Sequence, residues 1–195
     1  ESGMRILTKS ALQEIGGETK VTSVKTSSGS LPCDLLILAI GIRPATAFLE
    51  GTGLETERGL ILTDECQRTN LPDIYAVGDC AMVKNRITGK KQWSAMGSTA
   101  NIAGRALALN LSGEETHYKG VLGTGVVKLS LTLCAAKTGL TEAAAKESGY
   151  DVVCVTCAND DKAQYYPDSS FFITKLIADK TTRKLLGAQI IGSGS

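Results

Sequence analysis

Thr69-Asn70-Leu71-Pro72-Asp73-Ile74-Tyr75-Ala76-Val77-Gly78-Asp79-Cys80 is the stretch of this 195-residue sequence that decides its reading. A short apolar strand over 74–77 ends at Gly78, where the missing side chain lets the backbone pass close to a ligand. Asp79 then stands at the strand's C-terminal mouth. A carboxylate there accepts hydrogen bonds from the hydroxyls of a sugar or ribityl chain. The competing reading is an Asp that caps the following turn. Just upstream, 60–63 reads as a second short strand, separated from the first by the polar loop carrying Thr69-Asn70 and Leu71-Pro72.

Downstream, Ser98 or Thr99 is placed to N-cap a helix with Ile102, Ala106 and Leu109 on one face, and Gly113 is placed to end it in the left-handed conformation. Upstream, strands are expected over 4–8, over 20–26 after the Gly16-Gly17 turn, and over 35–40. The last, Leu35-Leu36-Ile37-Leu38-Ala39-Ile40, is continuously apolar, the pattern of a strand covered on both faces in a parallel sheet. A helical turn is expected over 45–49. From Tyr118 onward the composition becomes β-rich, with a strand over 126–133, a short helix over 141–148 closed by Gly149, and a strand over 152–156. A hairpin follows, with arms 171–178 and 184–191 joined by Asp179-Lys180-Thr181-Thr182-Arg183. Its apolar face, Phe172, Leu176, Leu186, Ala188 and Ile190, is expected to pack on the helix.

Composition narrows the function classes. With 21 Lys and Arg against 20 Asp and Glu the formal net charge is +1, which argues against nucleic-acid or membrane-surface binding. The apolar runs are short and no signal-peptide pattern opens the chain, so no membrane insertion is expected. Six cysteines are too few for a disulfide-dense scaffold and read as reduced thiols, pointing to a cytoplasmic protein. With His117 the single histidine, no metal site is expected. The 21 glycines exceed the usual share of about 7% and suit backbone-rich cofactor binding. A chain that opens without Met inside an expected strand, and closes on Gly192-Ser193-Gly194-Ser195, looks cut from a longer protein.

The segment 69–80 resembles the second flavin-binding motif of the FAD-dependent pyridine nucleotide-disulfide oxidoreductases. The likeness extends through Ala39-Ile40-Gly41-Ile42-Arg43-Pro44, similar to the last strand of that family's NAD(P)H domain and its return to the FAD domain. It continues through Arg58-Gly59-Leu60-Ile61-Leu62-Thr63-Asp64 and through Ala95-Met96-Gly97-Ser98-Thr99-Ala100-Asn101, which looks like the helix whose N-terminus faces the flavin. The stretch 120–130, with Ala135, Thr138-Gly139-Leu140, Tyr165-Tyr166-Pro167 and Leu186-Gly187-Ala188-Gln189, resembles the dimerisation domain of the coenzyme A-disulfide reductase and NADH oxidase branch.

The resemblance implies an α/β and α+β fold: a partial three-layer FAD/NAD(P)-binding domain followed by an α+β dimerisation domain. Residues 1–43 would be the tail of the NAD(P)H-binding domain, 44–117 the C-terminal part of the FAD-binding domain, and 118–195 a truncated dimerisation domain. It further implies FAD and NAD(P)H as cofactors, with Gly78 and Asp79 at the ribityl chain, Ala95 and Gly97 at the isoalloxazine, and Gly41 near the nicotinamide nucleotide. The parent would be a homodimer passing hydride from NAD(P)H to FAD and on to a small-molecule disulfide, polysulfide or persulfide, peroxide or oxygen-type acceptor. Tyr165 or Tyr166 would approach the partner subunit's redox centre as a proton donor, against the alternative that these adjacent aromatics simply pack. Asp168 stands where the branch commonly has Gly, and the branch's usual upstream His is lacking.

Neither nucleotide-binding Gly-rich turn nor the family's early cysteine lies in the sequence, so the isolated chain is expected to be catalytically silent. The alternatives are a non-catalytic homodimerisation module and a reductase of a ferredoxin-like electron carrier. Cys154-Val155-Thr156-Cys157 is not read as a redox pair, because positions three apart on a strand face opposite ways. Cys80 reads as a buried filler, Cys33, Cys66 and Cys134 as belonging to no constellation, and His117 as an exposed loop residue.

Overall fold

The computed structural model describes residues 3–193, arranged as two compact units, residues 1–42 and residues 43–195. The first is a three-stranded antiparallel meander of β1 (Leu12–Gly16), β2 (Ser23–Thr26) and β3 (Gly29–Pro32). The β1–β2 turn depends on Gly17: its φ is +130°, and a Cβ there would lie 1.9 Å from the Lys20 carbonyl oxygen.

The expected strands over 4–8 and 35–40 are not strands: 8–9 form a turn, and 35–40 run outside the sheet. Ile37 and Ile40 are 79% and 86% exposed. A fully apolar strand needs parallel neighbours and covering helices, whereas the described residues of this unit supply only a meander. The sequence over 20–26 pairs only from Ser23.

The second unit opens with a 3-10 turn at Ala47–Leu49, followed by β4 (Thr56–Glu57) paired to β5 (Leu60–Ile61). The expected strand over 60–63 is thus two residues long, and that over 74–77 is reduced to an antiparallel bridge between Arg68 and Tyr75. Even so, one edge of 74–77 is held, because Thr69 N–H donates to Ile74 O at 3.0 Å and Ala76 N–H to Gln67 O at 3.1 Å. Next come β6 (Met82–Lys84), β7 (Lys91–Trp93) and α1 (Gly97–Leu111).

Helix α1 starts earlier than expected. Its N-cap is Met96, which offers no side-chain acceptor, and Ser98 and Thr99 lie inside the first turn. Thr99, Ala103 and Ala106 form its buried face, while Ile102 and Leu109 are exposed. Small residues there let the helix approach Tyr118, Val121, Val77 and Val83 closely. Gly113 adopts φ +94° just past the helix end, as expected.

A five-stranded antiparallel sheet of order β10-β11-β12-β9-β8 completes the chain. It comprises β8 (Gly125–Lys128), β9 (Cys134–Gly139), β10 (Val152–Asp160), β11 (Phe171–Asp179) and β12 (Leu185–Gly192), with α2 (Glu142–Glu147) between β9 and β10. The run over 126–133 is therefore a strand, a turn and the approach to a second strand. The side chain of Thr141 caps α2 by accepting from Ala144 N–H at 3.2 Å. In the hairpin turn, Asp179 Oδ1 accepts from the N–H groups of Thr181 and Thr182 at 2.8 Å each. Those backbone bonds hold the Asp179 carboxyl below its ordinary range.

Helix α2 packs on the opposite face of the hairpin from the one expected. Ile177 is fully buried with Ala145, Leu140 and Leu186, and Val152 and Cys154 pack around them. Leu176 and Ile190 point to the other, exposed face. Leu186 reaches the α2 side because the β11–β12 register shifts between Ile177 and Ala178. Cys154 and Cys157 fall on opposite faces as expected, and Cys157 is exposed.

Glu142 ties α2 to the sheet. Its carboxylate accepts from Lys146 Nζ at 2.5 Å and from Lys175 on β11, and these bonds lower its pKa from 4.5 to about 2. A carboxyl whose folded pKa is depressed adds stability above its unfolded pKa and loses it as pH falls toward the folded value. The urea midpoint should therefore drop between about pH 5 and about pH 2.5, and Glu142→Gln should flatten that drop. An equal acid dependence in wild type and variant would contradict this role.

Candidate functional site

The site grows from the end of the apolar segment 74–77. Gly78 adopts φ +84°, a conformation that disfavours any other residue. Its carbonyl accepts from Ala81 N–H at 3.1 Å, closing a tight turn that carries Asp79 on its outside. The turn sits against the first turn of α1: a Cβ on Gly78 would be 3.9 Å from the Ala100 Cβ. From the strand before the helix, Trp93 Nε1 donates to Asp79 O at 2.9 Å and fixes the turn from the other side.

These bonds leave the Asp79 side chain free. It is exposed and makes no hydrogen bond or ion pair with any described residue. Beside it, α1 begins without a side-chain cap, so the N–H groups of its first turn remain available. Ser94 Oγ and Thr99 Oγ1 bond to each other at 2.9 Å and brace the segment holding half-buried Ala95. Gly97 is exposed, and a Cβ there would meet nothing within 4 Å. A free carboxylate and a set of free N–H donors thus stand on neighbouring turns, an arrangement that takes hydroxyls at one point and an electron-rich edge at the other.

A cavity of about 500 Å³ opens beyond Gly78, lined among others by Gln67, Arg68, Val77, Lys84 and Tyr118. Burial pushes the Tyr118 phenol above its ordinary range. Gln67 is buried at φ +62°, and its Oε1 has no partner among the described residues.

Of the sequence-predicted residues, the structure brings Gly78, Asp79, Ala95 and Gly97 into one neighbourhood. Gly41 belongs to the other unit, where it is exposed at φ +96°. Tyr165 and Tyr166 lie in the β10–β11 connection with ring centroids 4.9 Å apart. They are 83% and 54% exposed, and neither hydroxyl bonds to a described residue. Sequence reasoning missed Trp93, although a lone Trp four residues before a Gly-initiated helix was a usable signal. It also placed Cys66 in no constellation; His117 does lie in an exposed loop as expected, yet its Nδ1 is 3.7 Å from Cys66 Sγ. Among the described residues no group of three or more His, Cys, Asp or Glu is arranged to hold a metal ion, and no helix is long and apolar enough to cross a membrane.

Comparison with known proteins gives two family matches, pyridine nucleotide-disulphide oxidoreductase over residues 1–127 and the dimerisation domain of the same family over residues 131–195. A Pyrococcus horikoshii NAD(P)H coenzyme A polysulfide/persulfide reductase is 36% identical over 181 residues, covering 92% of this chain and 40% of the relative. A Streptococcus pyogenes NADH oxidase is 30% identical over 191 residues, covering 97% of this chain and 42% of the relative. The solved NAD-dependent persulfide reductase from A. fulgidus superposes with a TM-score of 0.91 at 34% identity, covering 99% of this chain and 36% of that structure. The chain thus spans about two fifths of the length of the curated relatives it matches.

Proposed function

Because the chain belongs to the pyridine nucleotide-disulphide oxidoreductase family, we propose that it is part of an FAD-dependent enzyme that passes hydride from NAD(P)H to FAD and on to a disulfide, persulfide, peroxide or oxygen acceptor. The observation that carries this reading is the unpartnered Asp79 carboxylate standing beside the uncapped start of α1. That donor set fits FAD, whose ribityl hydroxyls need an acceptor and whose pyrimidine edge needs donors. When bound, FAD supplies two-electron chemistry that no side chain offers.

The chain's own residues hold and orient. Asp79 accepts hydroxyls, Trp93 fixes the turn that presents it, and Gly78 keeps the turn tight against Ala100. Ala95 and Gly97 offer backbone approach without a blocking side chain, and the dipole of α1 favours negative charge at its start. Gly41, exposed and left-handed, suits a close backbone approach to the nicotinamide nucleotide. The exposed hydroxyls of Tyr165 and Tyr166 suit proton donation at the redox centre of the partner subunit in a homodimer.

On this reading 1–43 is the tail of an NAD(P)H domain, 44–117 a portion of the FAD domain and 118–195 a portion of the dimerisation domain, in a cytoplasmic enzyme. The match of residues 131–195 to a dimerisation domain supports the homodimer. The test is the full-length protein, assayed for co-purified flavin and for NAD(P)H consumption with coenzyme A persulfide, a disulfide, peroxide or oxygen. Bound flavin with turnover on one of these acceptors is the expected result. A dimer with neither flavin nor turnover would replace this reading with that of a dimerisation module. Residues 1–195 alone are expected to oxidise no NADH.

A further inference from the structure

A thiol, an imidazole and two carboxylates meet on the second unit, where Glu65 and Lys84 also line the cavity beyond Gly78. Cys66 Sγ lies 3.7 Å from His117 Nδ1, and His117 Nε2 lies 3.3 Å from Glu115 Oε1. Glu65 Oε2 stands 4.0 Å from Nδ1, with its other oxygen neutralised by Lys84 Nζ at 2.6 Å. Bonds from backbone N–H groups fix both ends of the cluster: the Asp64 carboxylate Oδ1 accepts from Cys66 N–H at 2.8 Å, and the Glu65 carbonyl accepts from Tyr118 N–H at 2.8 Å. The second bond brings His117, which precedes Tyr118, onto the turn that carries Cys66.

We propose that Cys66, His117 and Glu115 form a thiol–disulfide exchange site for low-molecular-weight disulfides, independent of the flavin reading. The arrangement is a nucleophile within reach of a base whose second nitrogen is oriented by a carboxylate. His117 takes the thiol proton, and the Cys66 thiolate attacks one sulfur of the disulfide. The S–S bond of the ligand breaks as the Cys66–S–S bond forms, and the leaving thiolate takes the proton from the imidazolium. No outside oxidant is needed, because the disulfide supplies the oxidising equivalents.

The ligand class follows from access. Cys66 is 6% exposed and the His117 side chain 53% exposed, so the imidazole joins a buried sulfur to solvent. A small disulfide can enter when that ring turns aside, whereas a protein-bound disulfide is too large. Charge does not select further, because Lys84 and Lys91 on the neighbouring strands offset Glu65 and Asp64.

The experiment treats the native full-length protein with cystamine and follows the mixed disulfide at Cys66 by peptide mass mapping. The expected result is labelling of Cys66 that slows at least tenfold in His117→Asn at about pH 7. The two rates should converge as pH rises, where hydroxide replaces the imidazole as base. Glu115→Gln should fall between wild type and His117→Asn. Circular dichroism confirms that the variants fold, and Cys66→Ser identifies the labelled peptide. An unlabelled Cys66 beside a labelled, exposed Cys157 would overturn the proposal. So would equal Cys66 rates in wild type and His117→Asn across the pH range.

Discussion

Asp79→Ala, made in the full-length protein, is expected to leave a folded polypeptide that has lost its flavin. The side chain is exposed and partnerless among the described residues, so its removal should change stability by no more than about 0.5 kcal/mol. The lost acceptor matters only to a ligand. Hydrogen bonds to a charged group contribute about 1.5–3 kcal/mol each, so two ribityl hydroxyls imply roughly 10²- to 10⁴-fold weaker FAD binding. Asp79→Asn keeps one oxygen without the charge and should lie between. The flavin-to-protein ratio after gel filtration, together with the melting temperature, separates the outcomes. Full flavin retention in Asp79→Ala would remove Asp79 from the site.

Gly187→Ala is expected to be the most disruptive single-methyl change in the sheet. An added Cβ would lie 2.1 Å from Leu140 O, 2.7 Å from Leu140 N and 2.8 Å from Thr138 O, all backbone atoms that no rotamer can move aside. Its cross-strand partner is Gly139, itself at φ +66° with Leu186 O 2.3 Å from where its own Cβ would stand. The strands therefore cross where neither has a side chain, and relief would break the Leu140 N–H to Leu186 O bond. Overpacking ordinarily costs about 1–3 kcal/mol, and backbone overlap at a strand centre should exceed that, to about 4 kcal/mol or more. Gly149→Ala is the control. That position is also left-handed, at φ +88°, but has open space around it, so only about 1–2 kcal/mol of conformational strain applies. Similar urea midpoints for the two variants would show that steric overlap at Gly187 is not what constrains the sheet.

The parts of this protein that could be read from sequence are those whose cause is local. The 69–80 motif carries its turn, its glycine and its carboxylate in twelve consecutive residues, and the structure places Gly78, Asp79, Ala95 and Gly97 together. The α2 helix and the Asp179 turn were legible for the same reason. Pairings across distance were not. The 35–40 run has the composition of a buried strand, yet a strand is defined by neighbours that its own residues do not encode. The hairpin face was misassigned because both faces are apolar, and a single register shift between Ile177 and Ala178 moves Leu186 to the α2 side. Cys66 and His117 are 51 residues apart and share no motif, so only the turn at Glu65, bonded to the Tyr118 N–H, reveals their contact.

The bond from Trp93 to the Asp79 carbonyl also makes the turn self-reporting. Trp93 is the single tryptophan of the chain, and its indole is hydrogen-bonded to the backbone of the residue proposed to hold the ribityl chain. An isoalloxazine ring accepts excitation energy from indole, so ligand arrival would dim the emission of a fluorophore already built into the fold. Occupancy could then be followed optically in real time, without attaching a dye and without waiting for a catalytic signal.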